Sequence, residues 1–325
     1  MMDNKKLSFE NRNKLYVLRE DSIVDRNLIS ILDITKAQME ELFSIAKSKD
    51  KMFDKFSNAL AGKILASLFL QPSTRTQLSF QSAFLKLGGQ TIGFSDINHS
   101  RSGPPYFEPL DDMGRIVSNY CDIIVMRTIN AIYTDDFING ATIPVISAGS
   151  GNVEHPTQAL TDLFTLTDCL GFNLTGINIL IIGTPRQRTI NSLLLGLSNW
   201  KDIHVHILCQ NGVLLMESIT KKFINSIEVS YYPSLANFLD YNVSHEINVI
   251  YMDKIFNETY FYDDFVITQE QLHNHFISDT IVLHPLPRTK ELPKYFDEYS
   301  GSRYFLQAYN GLYVRGALFL SYFIH

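Results

Sequence analysis

Four consecutive side chains could bind a small anion: Ser73, Thr74, Arg75 and Thr76 offer three hydroxyls and one guanidinium. They follow the apolar run 64–70 and precede a helical pattern, where free backbone N–H groups and the positive end of a helix dipole converge. A guanidinium binds phosphate through paired, charge-assisted hydrogen bonds. The alternative is an ordinary helix cap, made by Ser73 or Thr74, with Arg75 in solvent. Taken alone, the segment favours the cap.

Three further polar side chains stand where a ligand could reach them. His155 and Gln158 begin a helical pattern after the Gly/Ser cluster 148–152, and their spacing puts both on one face of its first turn. Arg127 follows the apolar strand 123–126, the position where open α/β sheets bind ligands. The alternatives are a histidine bonded to its own turn and an arginine in solvent.

Two more segments follow predicted strands. In the segment 284–288, two prolines remove backbone donors and leave the carbonyls of Pro285 and Leu286 free to accept from an amine. A rigid turn is the alternative. The segment 183–189 lacks the second and third glycines of a dinucleotide-binding loop. Arg188 is therefore better interpreted as a carboxylate clamp at a helix start, against the alternative of a surface charge.

Alternating strands and helices must position these residues. Helical periodicity covers 33–47, where Asp33 is placed to cap, and also 75–87, 155–170, 189–200 and 305–325. Apolar strands are predicted at 64–70, 91–94, 121–126, 142–147, 178–182, 204–208, 228–231, 249–252 and 280–283. The alternation predicts an α/β fold of two domains, each with a mainly parallel sheet flanked by helices. We expect one domain to comprise 1–152 with the C-terminal helix 305–325, and the other 153–304.

Composition narrows the functional classes. A chain of 325 residues with 45% hydrophobic and 19% charged residues is typical of a folded two-domain protein. The net charge of −6 argues against nucleic-acid binding. The distant cysteines Cys121, Cys169 and Cys209 match neither a zinc site nor a disulfide framework. Without a signal peptide or an apolar run long enough for a membrane span, we expect a cytoplasmic protein.

The order and spacing of these motifs resemble the aspartate/ornithine carbamoyltransferase family, from about Leu28 to the C-terminal helix. The resemblance is carried by the segments 73–76 with 78–80, 93–96, 125–127, 155–162, 188–189 and 284–288. Pro285 stands where the ornithine branch usually has cysteine. The aspartate branch is therefore the more similar one.

The resemblance implies that carbamoyl phosphate binds between the domains, an amino acid's amine attacks the carbamoyl carbon, and phosphate leaves. No metal, cofactor or covalent nucleophile is implied. The implied catalytic residues are Arg75, Thr76, Arg127, His155 and Gln158. The implied carbamoyl-phosphate ligands are Ser73, Thr74, Arg75, Thr76, Arg127, His155, Gln158, Pro285 and Leu286. The implied acceptor ligands are Arg188, Lys254 and Leu286.

The acceptor side departs from the family pattern. An arginine and a glutamine that hold the acceptor's side-chain carboxylate correspond here to Lys254 and Phe256, and Gln71 replaces a bracing glutamate. The shared loop 100–108 contains no lysine. Three interpretations stay open: an enzyme that uses aspartate through a rearranged pocket, a carbamoyltransferase for another amino acid or amine, and a catalytically silent paralogue acting as a structural or regulatory partner.

The charges expected in this pocket argue that aspartate is a poor acceptor. Its side-chain carboxylate would depend on Lys254 and on Arg101 of a neighbouring subunit. Phe256 and Tyr106 would make the pocket more apolar, and Asp253 would repel a carboxylate or bind a cationic group. The resemblance also implies a homotrimer, or a multiple of one, with shared active sites, and a place in pyrimidine biosynthesis.

Overall fold

Two parallel β-sheets form the centre of the protein in the computed structural model, which describes residues 26–99, 108–209, 213–240, 246–255 and 264–324. The first sheet has the strand order β2-β1-β3-β4, and the second has the order β7-β6-β5-β8-β9. The strands are β1 (Ile64–Phe69), β2 (Gln90–Phe94), β3 (Ile123–Thr128), β4 (Val145–Ser150), β5 (Asn178–Ile182), β6 (Ile203–Leu208), β7 (Ile227–Tyr232), β8 (Val249–Met252) and β9 (Ile281–Leu283). All neighbouring pairs are parallel, which confirms the predicted α/β fold.

Helices flank both sheets. They are α1 (Lys36–Ala46), α2 (Asp50–Lys55), α3 (Thr74–Lys86), α4 (Leu110–Val117), α5 (Ala131–Gly140), α6 (Pro156–Leu170), α7 (Arg188–Leu197), α8 (Glu217–Phe223), α9 (Leu235–Asp240), α10 (Gln269–His275) and α11 (Tyr304–Phe323). Short 3-10 helices cover Ile31–Asp33, Ile97–His99 and Lys294–Glu298. No helix in this part of the chain is long and apolar enough to cross a membrane.

The strands that carry the site are buried on both faces. In β4 every residue is buried, as expected for a parallel sheet covered by helices. The strand predicted at 142–147 begins and ends three residues later, because Ala148 and Gly149 continue it rather than open a loop. Gly149 has a φ of +118°, a backbone conformation that residues with a β-carbon rarely adopt.

The predicted start of the first helix, at Asp33, was wrong. Asp33 does not cap it, because its carboxylate accepts the N–H of Ser30 (2.8 Å) in the preceding 3-10 turn. Thr35 caps α1 instead: its Oγ1 accepts the N–H of Gln38 (3.2 Å), and the Gln38 side chain accepts the N–H of Thr35 (2.8 Å). This reciprocal pair is a capping box, which satisfies two backbone donors at once.

The last helix, α11, packs against α1, α3 and α6. Phe319 is fully buried, and its ring meets the edges of Phe80 and Phe84 at centroid distances of 5.8 and 4.8 Å. One hydrophobic cluster joins such side chains of α11 to buried residues of both sheets. The C-terminal segment is therefore a core helix, as its apolar composition predicted.

Candidate active site

The predicted site residues lie at the carboxyl ends of six strands. Ser73 follows β1, Arg127 lies near the end of β3, His155 follows β4, Arg188 follows β5, Lys254 follows β8 and Leu286 follows β9. Parallel strands end at the same edge of their sheet, and ligands of open α/β folds bind at that edge. The fold therefore brings residues that are far apart in sequence to one side of each sheet.

The start of α3 has backbone donors without a side-chain cap. Ser73 occupies the N-cap position with extended backbone, but its hydroxyl accepts no hydrogen bond from the helix. The cap interpretation of this segment therefore does not hold. Thr74 is the first helical residue and Thr76 is buried. Arg75 is exposed, as the alternative expected, and its partial burial lowers the pKa of the guanidinium. These groups match the needs of a small anion.

Arg127 is a half-buried cation close to two others. Burial is the main cause that lowers its pKa to about 9, and the charges of Arg188 and Arg75 contribute to that shift. Its Nη1 donates to the carbonyl of Ala148 (3.5 Å). The pairing register of β3 and β4 shifts between Met126 and Thr128, so Arg127 lies at an irregularity that re-aims a strand side chain. It is not an arginine in solvent.

Gln71 joins two of these arginines. Its Oε1 accepts from Nε of Arg127 (3.2 Å) and from Nη1 of Arg188 (3.3 Å). Arg188 also donates to the carbonyl of Gly151 (2.6 Å). Sequence reasoning noted Gln71 only as a replaced glutamate. Its place directly after a buried strand, at the ligand-binding edge, was the signal that could have revealed this role.

His155 is a buried, neutral imidazole at the start of α6. It is 4% exposed, and Nδ1 has no partner among the described residues. Burial is the main cause that lowers the pKa of the imidazole well below its usual value. The positive charges of Arg127 and Arg188 lower it as well. Its backbone N–H donates to Oγ of Ser192 (2.8 Å), and its side chain makes no capping hydrogen bond to α6. A β-carbon on Gly149 would lie 3.4 Å from the imidazole.

The turn after β9 is held by a buried hydrogen bond between His284 and Glu291. Nδ1 of His284 accepts the N–H of Leu286 (2.7 Å), and Nε2 lies 3.0 Å from Oε1 of Glu291. Burial alone would raise the pKa of Glu291, but hydrogen bonds from His284 and Thr289 lower it to about 2. The rigid turn expected from the prolines is present, and it fixes the backbone of Pro285 and Leu286.

A buried carboxylate lies beside the acceptor lysine. Asp253 is 6% exposed and accepts hydrogen bonds from Oγ1 of Thr189 and from the backbone N–H of Lys254 (2.6 Å). Burial raises its pKa, and the bond from Thr189 opposes that shift. Lys254 itself is half-buried. Arg101, Tyr106 and Phe256, which entered the acceptor argument, lie outside the described residues.

Gln158 lies in the first turn of α6, where its Nε2 donates to Oδ1 of Asp162 (2.7 Å). Across the described ranges, no group of three or more His, Cys, Asp or Glu could hold a metal ion.

Cations at the carboxyl ends of two parallel sheets, with an uncapped helix start beside them, define a class: an α/β protein with a binding site for a small anion such as phosphate. Two family models narrow that class. The aspartate/ornithine carbamoyltransferase carbamoyl-P binding domain matches residues 26–168, and the Asp/Orn binding domain of the same family matches residues 175–322. The chain belongs to the aspartate/ornithine carbamoyltransferase family.

Individual relatives agree with this assignment. The chain is 35% identical to an aspartate carbamoyltransferase catalytic subunit of Clostridium botulinum, covering 90% of this chain and 96% of the relative. The aspartate transcarbamoylase of Trypanosoma cruzi, solved with aspartate and phosphate, superposes with a TM-score of 0.84 at 27% identity over 95% of this chain and 98% of that one. The catalytic subunit from M. jannaschii gives 0.80 at 30% identity, over 90% and 96%. The protein is thus a carbamoyltransferase that moves the carbamoyl group of carbamoyl phosphate to an amino acid's amino group and releases phosphate.

Proposed function

We propose that the start of α3 and Arg127 bind the phosphate of carbamoyl phosphate. The hydroxyls of Ser73, Thr74 and Thr76, the free N–H groups of the helix start and the Arg75 guanidinium supply donors to its oxygens. Burial of Thr76 strengthens its interaction, because the local dielectric there is lower than that of water. The observation that supports this assignment is the lack of a side-chain cap on α3.

The transfer step needs donors aimed at one oxygen. The acceptor's neutral amine forms a bond to the carbamoyl carbon, and the carbonyl electron pair moves onto oxygen. Arg127, Thr76 and neutral His155 would stabilise that oxyanion, because preorganised donors act most strongly on developing charge. The bond from carbon to the phosphate oxygen then breaks. The departing phosphate takes the amine's proton, and an N-carbamoyl amino acid results.

The acceptor is held from the other sheet. Arg188, at the start of α7, would bind the α-carboxylate, and Lys254 would face the acceptor's side chain. The carbonyls of Pro285 and Leu286 would accept from the carbamoyl amide and the incoming amine, together with Oε1 of Gln158. The turn clamped by His284 supports this role, because it presents those carbonyls on a rigid backbone.

Charge at the acceptor end favours an amino acid without an anionic side chain. The buried carboxylate of Asp253 adjoins Lys254 and also acts on Arg188, so it offsets part of the positive charge a second substrate carboxylate would need. Aspartate stays the second candidate, since the relatives above are aspartate enzymes and the T. cruzi enzyme binds aspartate.

An acceptor panel decides between the two. Phosphate release from carbamoyl phosphate is measured with aspartate, neutral amino acids and diamino acids. We expect the apparent affinity for aspartate to be at least about tenfold weaker than for the best acceptor, since a missing charge-assisted contact costs about 1.5–3 kcal/mol. Aspartate as the preferred acceptor would contradict this proposal, and no release with any amino acid would contradict the amino-acid acceptor altogether.

A charge variant adds a second test to the acceptor panel. Asp253→Asn keeps an oxygen that can accept the N–H of Lys254 but removes the negative charge. It should shift the preference towards aspartate about tenfold, whereas Asp240→Asn, which changes an exposed carboxylate at the end of α9, should not.

A cytoplasmic location stays a prediction, supported by the three free cysteines.

A further inference from the structure

A buried carboxylate in α6 connects three parts of the site. Asp162 is fully buried, one turn after Gln158. Its Oδ1 accepts from Nε2 of Gln158 (2.7 Å) and from Nε2 of Gln307 (2.6 Å), and its Oδ2 accepts from the hydroxyl of Tyr251 (2.9 Å). Burying a carboxylate costs free energy unless hydrogen bonds replace its lost hydration, as these three do. None of the roles described above uses it.

Each donor belongs to an element that reaches the active site. Gln158 lies in the first turn of α6, beside His155. Tyr251 lies on β8, two residues before Asp253. Gln307 lies on α11, and its Oε1 accepts the backbone N–H of His284 (2.8 Å), the residue that clamps the turn of Leu286. Movement of the Asp162 carboxylate would therefore disturb a helix start, a strand end and a turn together.

The charge of Asp162 fixes the orientation of both glutamines. An ionised carboxylate only accepts hydrogen bonds, so each glutamine must turn its NH₂ group towards Asp162. The Oε1 atoms then point away: that of Gln307 meets His284, and that of Gln158 is left to accept from a carbamoyl NH₂. Buried Arg315, 4% exposed, lies near enough for the carboxylate's charge to raise its pKa against the effect of burial. This cation favours the ionised form of Asp162, whereas burial raises the pKa of the carboxyl to about 7, so the ionised form predominates at pH 8.

We infer that Asp162 is a positioning residue for carbamoyl transfer, acting through Gln158 and through Gln307 on the 284–286 turn. It touches no substrate itself. The inference rests on the proposed role of Gln158. A side chain at 162 with the same shape but an added donor would allow either glutamine to flip, and small misplacements of reacting groups lower rates steeply.

The test compares Asp162→Asn with Asp168→Asn. Asp168 lies in the same helix and makes only a partly exposed ion pair with Lys49 (3.4 Å). The measurements, at pH 8, are kcat with saturating carbamoyl phosphate and the best amino acid of the panel, Kd for inorganic phosphate by calorimetry, and the melting temperature. For Asp162→Asn we expect kcat to fall about 10- to 100-fold. Phosphate Kd should stay within about twofold, because Asp162 bonds to none of the groups at the start of α3. Asp168→Asn should match the wild type in all three.

A kcat within twofold of wild type for folded Asp162→Asn would overturn the inference. A parallel loss of phosphate affinity and kcat would also overturn it, because it would show general disruption rather than positioning. If Asp162→Asn does not fold, Tyr251→Phe decides: it removes one donor and keeps the ring. It should lower kcat about threefold or more at unchanged phosphate Kd, and an unchanged kcat would again overturn the inference. Gln158→Ala distinguishes failure of this inference from failure of the proposed function, because an unchanged kcat in that variant would contradict the proposed role of Gln158 itself.

Discussion

Two guanidiniums of the site are held in position by neutral groups. Arg127 and Arg188 share the amide oxygen of Gln71, and each also donates to a backbone carbonyl. A carboxylate in the place of Gln71 would neutralise part of their charge, whereas an amide positions them and leaves the charge for a ligand. The site is therefore organised for an anion before one arrives.

Arg75 should contribute mainly to binding carbamoyl phosphate. Arg75→Ala removes a charge-assisted contact worth about 1.5–3 kcal/mol, so carbamoyl phosphate affinity should fall roughly ten- to a hundredfold in calorimetry. Arg115→Ala is the matched control, because that arginine is exposed on α4 and pairs only with Asp112 at 3.7 Å. Unchanged affinity in folded Arg75→Ala would remove the α3 start from the phosphate site.

His155 should make the fold less stable in acid. Its pKa is lowered in the folded state, so below about pH 6.5 the unfolded chain binds a proton that the folded chain does not. This contribution to the free energy of unfolding is complete above pH 6.5 and falls as pH decreases. In urea titrations at pH 7.5, 6.5 and 5.5, wild type should lose stability more steeply than His155→Gln, by up to about 1.4 kcal/mol per pH unit. Parallel curves for the two proteins would contradict the buried, neutral histidine.

The residues that could bind or activate a substrate were predictable from the sequence, but the residues that hold them in position were not. Arg75 and His155 stood out because each lies at a predicted helix start, and Arg127 because it follows an apolar strand, but their catalytic roles came from the family resemblance. Gln71 and Asp162 act through partners far along the chain, and Asp162 looks like an ordinary polar residue of a helix. Only the tertiary fold places it against Tyr251 and Gln307.

At the scale of elements, strand cores were predicted well and boundaries less well. The nearly continuous apolar runs of β1 and β5 predicted their limits almost to the residue, because strands buried on both faces are apolar at most positions. The shift of β4 and the start of α1 depended on Gly149 and Thr35, whose local preferences allow several conformations. The predicted domain limits stay a prediction, and the family models meet between residues 168 and 175.

The helix α11 should be a main source of stability. Phe319→Ala would leave a cavity between α11 and α3, and the free energy of unfolding should fall by about 3–5 kcal/mol. Phe305→Ala is the control in the same helix: its side chain is 59% exposed, and the change should be below about 1 kcal/mol. Urea unfolding measures both. Equal effects would show that the packing of Phe319 is not what stabilises this helix.

The whole molecule should be a homotrimer or a multiple of one. This prediction comes from the family resemblance, and the loop 100–108 on which it drew is described only at Glu108. Leu78 and Leu85 on α3 are 59% and 55% exposed, which leaves apolar surface available for contact with another copy. Sedimentation at micromolar concentration should give three times 37.1 kDa or a multiple. A single species of 37.1 kDa would contradict the prediction.

The bond between Asp162 and Gln307 joins residues 145 positions apart. Because a chain is synthesised from its amino end, both sheets leave the ribosome before the helix that carries Gln307 does. A nascent chain with β1 to β9 already emerged still lacks the group that holds His284 and completes the bonding of Asp162. Activity should therefore appear only after α11 has emerged and docked, so the enzyme becomes competent in one late step rather than gradually as its sheets form.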